Sequence, residues 1–195
     1  MTDEEYINFS VKLFNNYNNI LHKNGVILYN ISYSTDKPML MWDTIHNITN
    51  NTNFMIADVI IWKKKSALPN NMSHNRLTRI CEFVFVFCRK DEIKTFKMNK
   101  SILSVRPTGI KQYTTFYNYI EAKNNDGSCE LNKATFSSEL CKKLLEMYAL
   151  PDSIIYDSFM GTGTTAMACK EMDLNYIGSE LSSAQCEYAK QRLAI

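Results

Sequence analysis

Apolar residues recur at Tyr6, Phe9, Leu13, Phe14, Tyr17, Ile20 and Leu21, a spacing that lines one face of a helix over Glu4–Leu21. Asn24-Gly25 follows with Gly25 as the stop signal, and the unbroken apolar run Val26–Ile31 predicts a buried strand. A second helical stretch opens at Lys37-Pro38, carries Met39, Leu40, Trp42, Ile45 and Ile48, and ends in the polar run Thr49–Asn53. Phe54–Trp62 and Cys81–Cys88 read as strands, the latter apolar enough for cover on both faces. Between them, Lys63–Arg79 is a basic loop broken at Pro69-Asn70-Asn71. Asp91–Leu131 keeps no sustained period and runs into the turn-rich Asn124-Asn-Asp-Gly-Ser128. Leu140, Leu144, Leu145 and Tyr148 then mark a helix with Ser137 or Ser138 as its N-cap.

The last third has the most regular pattern. Ser153–Tyr156 is a short strand, Thr164–Met172 has small and apolar residues at helical spacing, and Asn175–Glu180 returns to strand character. Gly161-Thr162-Gly163 forms the turn between the first strand and the helix, where missing Cβ atoms let the chain bend and a ligand approach. In a βαβ unit, an acid ending the second strand stands beside that turn and can accept from a ribose diol, which singles out Glu180. Two glycines also suffice for a purely geometric turn. No Lys follows Gly163 where a γ-phosphate would need one, and no third glycine brings the helix onto a pyrophosphate. The pattern therefore favours a nucleoside without phosphates. Ser182-Ser-Ala-Gln185 has the form of a capping box and opens a final helix to Leu193.

Composition narrows the class. A chain of 195 residues, 45% hydrophobic, accommodates one sizeable domain or one domain with an insertion. No apolar run approaches the roughly 18 residues of a membrane span, and the polar start Met1–Glu5 lacks a signal-peptide pattern, so a soluble cytoplasmic protein is expected. The six cysteines, Cys81, Cys88, Cys129, Cys141, Cys169 and Cys186, never stand as Cys-x-x-Cys, so neither a metal site nor a disulfide framework is indicated; they read as reduced, mostly buried small hydrophobes. The net charge of +2 is unevenly spread: from Trp62 to Lys111, twelve Lys or Arg face three acids. Such a surface suits double-stranded DNA, although a solvated basic face balanced elsewhere has the same count.

Asp157-Ser158-Phe159-Met160-Gly161-Thr162-Gly163-Thr164-Thr165, then Asn175–Glu180 and Tyr188–Leu193, resemble the cofactor motifs of DNA amino-methyltransferases, with Ser158 where that family usually has Pro. Ile60-Ile-Trp-Lys-Lys-Lys65 and Glu82–Arg89 resemble the same family's Trp-x-Lys strand end and glutamate-led strand, in the same order. Asn132–Phe136 resembles its His-x-Ala-x-Phe-Pro pattern, with Asn132 for His and Ser137 for Pro. The resemblance implies an α/β, Rossmann-like S-adenosylmethionine-dependent methyltransferase fold, a mostly parallel sheet with helices on both faces. It implies methyl transfer to an exocyclic amine of adenine or cytosine in DNA. The cofactor would meet Phe136, Asp157, Phe159, Gly161, Gly163, Thr164, Thr165 and Glu180. DNA would meet Lys63, Lys64, Lys65, Arg76, Arg79 and Arg106. Residues 1–195 would form a partial methyltransferase domain, with 63–131 a basic insertion holding the target-recognition region and 132–195 the cofactor part.

The family's Asp-Pro-Pro-Tyr type motif, whose polar residue and carbonyl hold the target amine and whose aromatic residue stacks on the flipped base, is absent: Pro38, Pro69, Pro107 and Pro151 include no adjacent pair. In the permuted order it belongs upstream of Met1, on a central strand between those at Ser153–Tyr156 and Val26–Ile31. Two expectations follow. Either this chain is the C-terminal portion of an enzyme whose catalytic motif comes from an upstream segment or partner chain, or it is a non-catalytic DNA-binding or scaffold subunit that kept the fold.

Overall fold

The computed structural model describes residues 1–67, 72–127, 130–132 and 135–194. The expected break at Pro69-Asn70-Asn71, the end of the turn at Ser128, and Cys129 lie outside them. The chain divides into two compact units: Met1–Trp62 with Cys81–Lys97, and Lys63–Ile80 with Met98–Ile195. The segment 63–131 is thus shared, since its strand at Cys81 belongs to the first unit.

In the first unit, α1 (Asp3–Ile20) and α2 (Leu40–Asn51) pack on one face of the strands β1 (Ile27–Ile31), β3 (Cys81–Arg89) and β2 (Phe54–Lys64), which lie in that order. Phe14, fully buried on the stripe of α1, meets Tyr17, Tyr29, Phe54 and Phe87 edge-on, with ring centroids 4.9–5.7 Å apart. Met41, Ile45, Ile48 and Phe85 complete this cluster. Val84, Val86 and Cys88, on the other face of β3, are as buried, as its apolar density requires. α1 starts with a capping box that the sequence reading overlooks: Thr2 Oγ1 accepts from the Glu5 N–H and the Glu5 carboxylate accepts from the Thr2 N–H. Its end is closed differently from expectation. The left-handed residue is Asn24 (φ 61), not Gly25, and Asn is among the few L-residues that take that conformation readily.

Arg89 completes that helix end. Its Nη2 donates to the carbonyls of Asn18 (3.0 Å) and Leu21 (2.6 Å), Nη1 to that of His22, and Nε to Asn18 Oδ1. Those of Asn18 and Leu21 are carbonyls of the kind a helix end leaves unpaired, while that of His22 also accepts from the Gly25 N–H. Glu92, itself buried, balances the guanidinium at 3.4 Å.

β2 carries on into the second unit through Lys63 and Lys64, where β6 (Tyr119–Ala122) lies beside it, and the Lys65 N–H donates to the Ala122 carbonyl. A separate antiparallel ribbon, β4 (Ile102–Val105) with β5 (Lys111–Tyr113), is exposed on every residue. α3 (Ser138–Tyr148), capped by Ser137, one of the two serines expected there, packs with α4 (Thr164–Glu171) around Cys141, Leu145, Ala168 and Cys169. That layer covers one face of β7 (Ile154–Asp157) and β8 (Asn175–Gly178), which run parallel. Ile155 and Tyr176 point into the layer, whereas Ile154, Tyr156 and Ile177 alternate outward and are 63%, 43% and 55% exposed. α5 (Ser183–Leu193) ends the chain.

Among the described residues the strands fall into three sheets rather than one, that of β7 and β8 being parallel. β7 and β8 are joined by α4, the crossover that parallel neighbours need, whereas β1 and β3 run antiparallel, as do β4 and β5, which follow each other without a helix. β1 and β7 each have a single strand partner among the described residues, β3 and β8 respectively.

Candidate functional site

The glycine turn is shaped by Asp157 at the end of β7. One of its carboxylate oxygens accepts from the Phe159 N–H (3.0 Å) and the other from the Thr165 hydroxyl (2.5 Å). Both oxygens thus act inside the turn, and Asp157 and Thr165 set its shape. Gly161 (φ 53) and Gly163 (φ 84) take the left-handed conformation that a bulkier residue resists. The space is also closed: a Cβ on Gly161 would stand 3.0 Å from Asn132 Nδ2, and one on Gly163 3.1 Å from the Ala189 Cβ.

Glu180 faces this turn. Its Oε2 accepts from the Gly161 N–H and its Oε1 from the Ser182 N–H, each at 2.9 Å. These bonds, that from Ser182 foremost, hold the carboxyl below its ordinary range and keep it ionised. The Leu181 N–H adds to them, and the carboxylate, with about four acceptor positions, keeps room for a hydroxyl donor. Glu180 thereby does at the start of α5 what the capping-box reading gave to Gln185. Ser182 Oγ caps Gln185 N as expected, but the Gln185 side chain accepts from Asn132 Nδ2 instead, behind Gly161.

Two separate hollows border the turn, one at Met160 and the other at Thr162 and Thr164. The larger, about 490 Å³, is lined by Met160, Gly178, Ser179, Glu180, Cys186 and Lys190 among others. The smaller, about 130 Å³, is lined by Phe136, Thr162, Thr164, Tyr188 and Arg192 among others. Phe136 and Glu180, expected at one ligand, border different hollows. Phe159 is 60% exposed. Arg192 Nη1 donates to the Thr162 carbonyl (2.8 Å) and fixes the turn from α5, a role that nothing in the spacing announced. Asn132 and Gln185 were visible only as a departure from a motif and as an expected cap.

The basic candidates separate. Lys63 pairs with Glu121 at 2.9 Å, and Lys65 with Glu139 at 2.5 Å. The Lys64 N–H joins the Ile80 carbonyl, Arg76 is exposed, Arg79 is half-buried, and Arg106 stands on the β4–β5 ribbon. Arg89 and Lys90, part of the same positive excess, are committed within the first unit, Lys90 to the Thr52 carbonyl.

Solved structures share this architecture. The M1.HpyAVI–SAM complex superposes with a TM-score of 0.72 at 25% identity, covering 96% of this chain and 84% of that one. The cytosine-N4-specific PvuII DNA methyltransferase superposes with 0.74 at 18% identity, covering 97% and 71%. The fold is thus the Rossmann-like α/β fold of DNA methyltransferases. A family model described as DNA methylase matches residues 1–191, and the chain belongs to that family. Type II methyltransferase M.Cfr9I of Citrobacter freundii is 27% identical over 135 residues, 69% of this chain and 43% of the relative. M.MjaI of Methanocaldococcus jannaschii is 24% identical over 153 residues, 73% and 50%. The chain spans about half the length of the curated relatives it matches.

Proposed function

We propose that this chain binds S-adenosylmethionine at the glycine turn and serves in methyl transfer to an exocyclic amine of adenine or cytosine in DNA. In this reading an upstream segment or partner chain supplies the Asp-Pro-Pro-Tyr type motif. The observation that carries it is the ionised Glu180 carboxylate, seated on the Gly161 N–H with room left for a ribose hydroxyl. Gly161 and Gly163 would pass beneath the ligand, while Asp157 and Thr165 hold the turn in shape for it. Thr164 and Phe136, on the smaller hollow, would border its amino-acid end. When bound, the cofactor supplies a methyl group already activated as a sulfonium, so the protein's part is to position donor and acceptor. The 25% identical M1.HpyAVI, solved with SAM, supports the cofactor, and the family supports DNA.

The partner rests on a further observation. Among the described residues β7 presents an unpaired edge and an apolar outward face, Ile154 and Tyr156, of the kind that takes an added strand. Isothermal titration of the purified chain with S-adenosylmethionine tests the reading. Binding is expected, and its absence with DNA binding retained would favour the non-catalytic subunit. Methylation of DNA is expected once an upstream chain carrying the motif is added; a normal rate from the chain alone would exclude the partner.

A further inference from the structure

The ribbon β4–β5 has no core of its own, because all its residues are exposed, Leu103, Val105 and Ile110 between 57% and 66%. Two strands with no buried face are marginal alone. This ribbon is pinned at its base instead: Thr114 Oγ1 accepts from the Ser101 N–H, and the Thr114 N–H donates to the Ser101 carbonyl. At its tip the Arg106 N–H donates to Ile110 and the Gly109 N–H to Arg106, closing Arg106-Pro-Thr-Gly109 with Gly109 at φ 83. No acid occurs between Glu92 and Glu121, whereas Lys100, Arg106 and Lys111 fall on or beside the ribbon.

One face is organised. Ser104 and Gln112 pair across the strands, and Arg106, two residues beyond Ser104, shares their side. With the amide oriented as its neighbours require, Gln112 Oε1 accepts from Arg106 Nη2 (2.9 Å) and Nε (3.3 Å), and its Nε2 donates to Ser104 Oγ (2.6 Å). The guanidinium is therefore held in a fixed plane with three N–H donors to spare, and the amide keeps one. Phosphate gripping needs only charge, as the exposed Lys111 on the opposite face provides. A directed, braced fork suits the O6 and N7 acceptors of guanine, and a major groove about 12 Å wide admits a two-stranded ribbon.

We infer that the β4–β5 ribbon enters the DNA major groove and that Arg106, braced by Gln112, reads a base edge there; this rests on the DNA reading above. The test selects preferred duplexes from a pool with a randomised centre, using the full chain, and footprints them with dimethyl sulfate, which attacks guanine N7. Wild type is expected to protect a guanine and to prefer its base pair roughly tenfold or more. Arg106→Ala and Arg106→Lys should both erase that protection and flatten the preference at that position, with circular dichroism unchanged. Lys111→Ala should instead weaken all sequences alike and lower the salt slope by about one. A preference retained in full by Arg106→Lys, an unchanged profile in Arg106→Ala, or wild-type binding without preference would overturn the inference and leave the DNA reading standing. Failure to bind any duplex would overturn both. A concentration-dependent dimer broken by Leu103→Asp would assign the ribbon to a second copy of the chain and overturn it as well.

Discussion

Glu180 holds two backbone N–H groups at once, so it organises the turn before any ligand arrives. Glu180→Ala is expected to weaken S-adenosylmethionine binding by about 1–3 kcal/mol, the scale of losing hydrogen bonds to a charged group, and calorimetry measures it. Because its pKa is lowered on folding, its contribution is complete above the ordinary carboxylate range and is lost as pH falls through the lowered value. Cofactor affinity should therefore be level near neutrality and decline only in acid. Arg89→Ala takes the guanidinium from the Asn18 and Leu21 carbonyls and from the buried Glu92, and should cost about 2–4 kcal/mol in urea unfolding. Burial pushes the Cys141 thiol up to about 12 and Cys169 to about 11. Iodoacetamide should modify native Cys81 and Cys186 well before Cys88, Cys141 and Cys169, as peptide mass mapping would record. At this scale Glu180 and the two glycines were legible, because a βαβ unit fixes where a strand end lies relative to its turn. Arg89 was not: it stands about 70 residues from the carbonyls it holds, and local spacing cannot see such a partner.

Helices and apolar strands were read from periodicity to within a few residues, since each buries one face or both. The ribbon and β6 were missed for the converse reason. β4 and β5 bury no face and so carry no alternation, and β6 has only four residues. Element ends show the same limit. Of the two serines expected to cap α3, Ser137 does so, but at α5 the Glu180 carboxylate, two residues past the end of β8, took the bond assigned to Gln185. The start of α3 makes a prediction of its own. Glu139, paired foremost with Lys65 and then with the Lys123 N–H and Lys143, has its pKa lowered from 4.5 to about 2. Its support for the fold is complete above 4.5 and falls away as pH drops toward 2. Glu139→Gln should flatten that acid limb in a thermal melt series, with little change in its shape near neutrality.

At the scale of the molecule, the two units are interleaved in sequence, the second interrupting the first between Trp62 and Cys81. That no two prolines are adjacent was legible in the sequence alone, and among the described residues β1 and β7 each have one strand neighbour. What sequence did not reveal was the division of the strands, because pairing over long separations leaves no local signature. The order of the first sheet has a consequence for biosynthesis. β3 lies between β1 and β2 yet is made after both, and with it comes the arginine that closes α1. At roughly 5–20 residues per second, the first helix and its two strands leave the ribosome about one to five seconds before the piece that joins them. Nascent chains arrested short of Cys81 should remain protease-sensitive, and the N-terminal half should become resistant only when translation has passed Lys97.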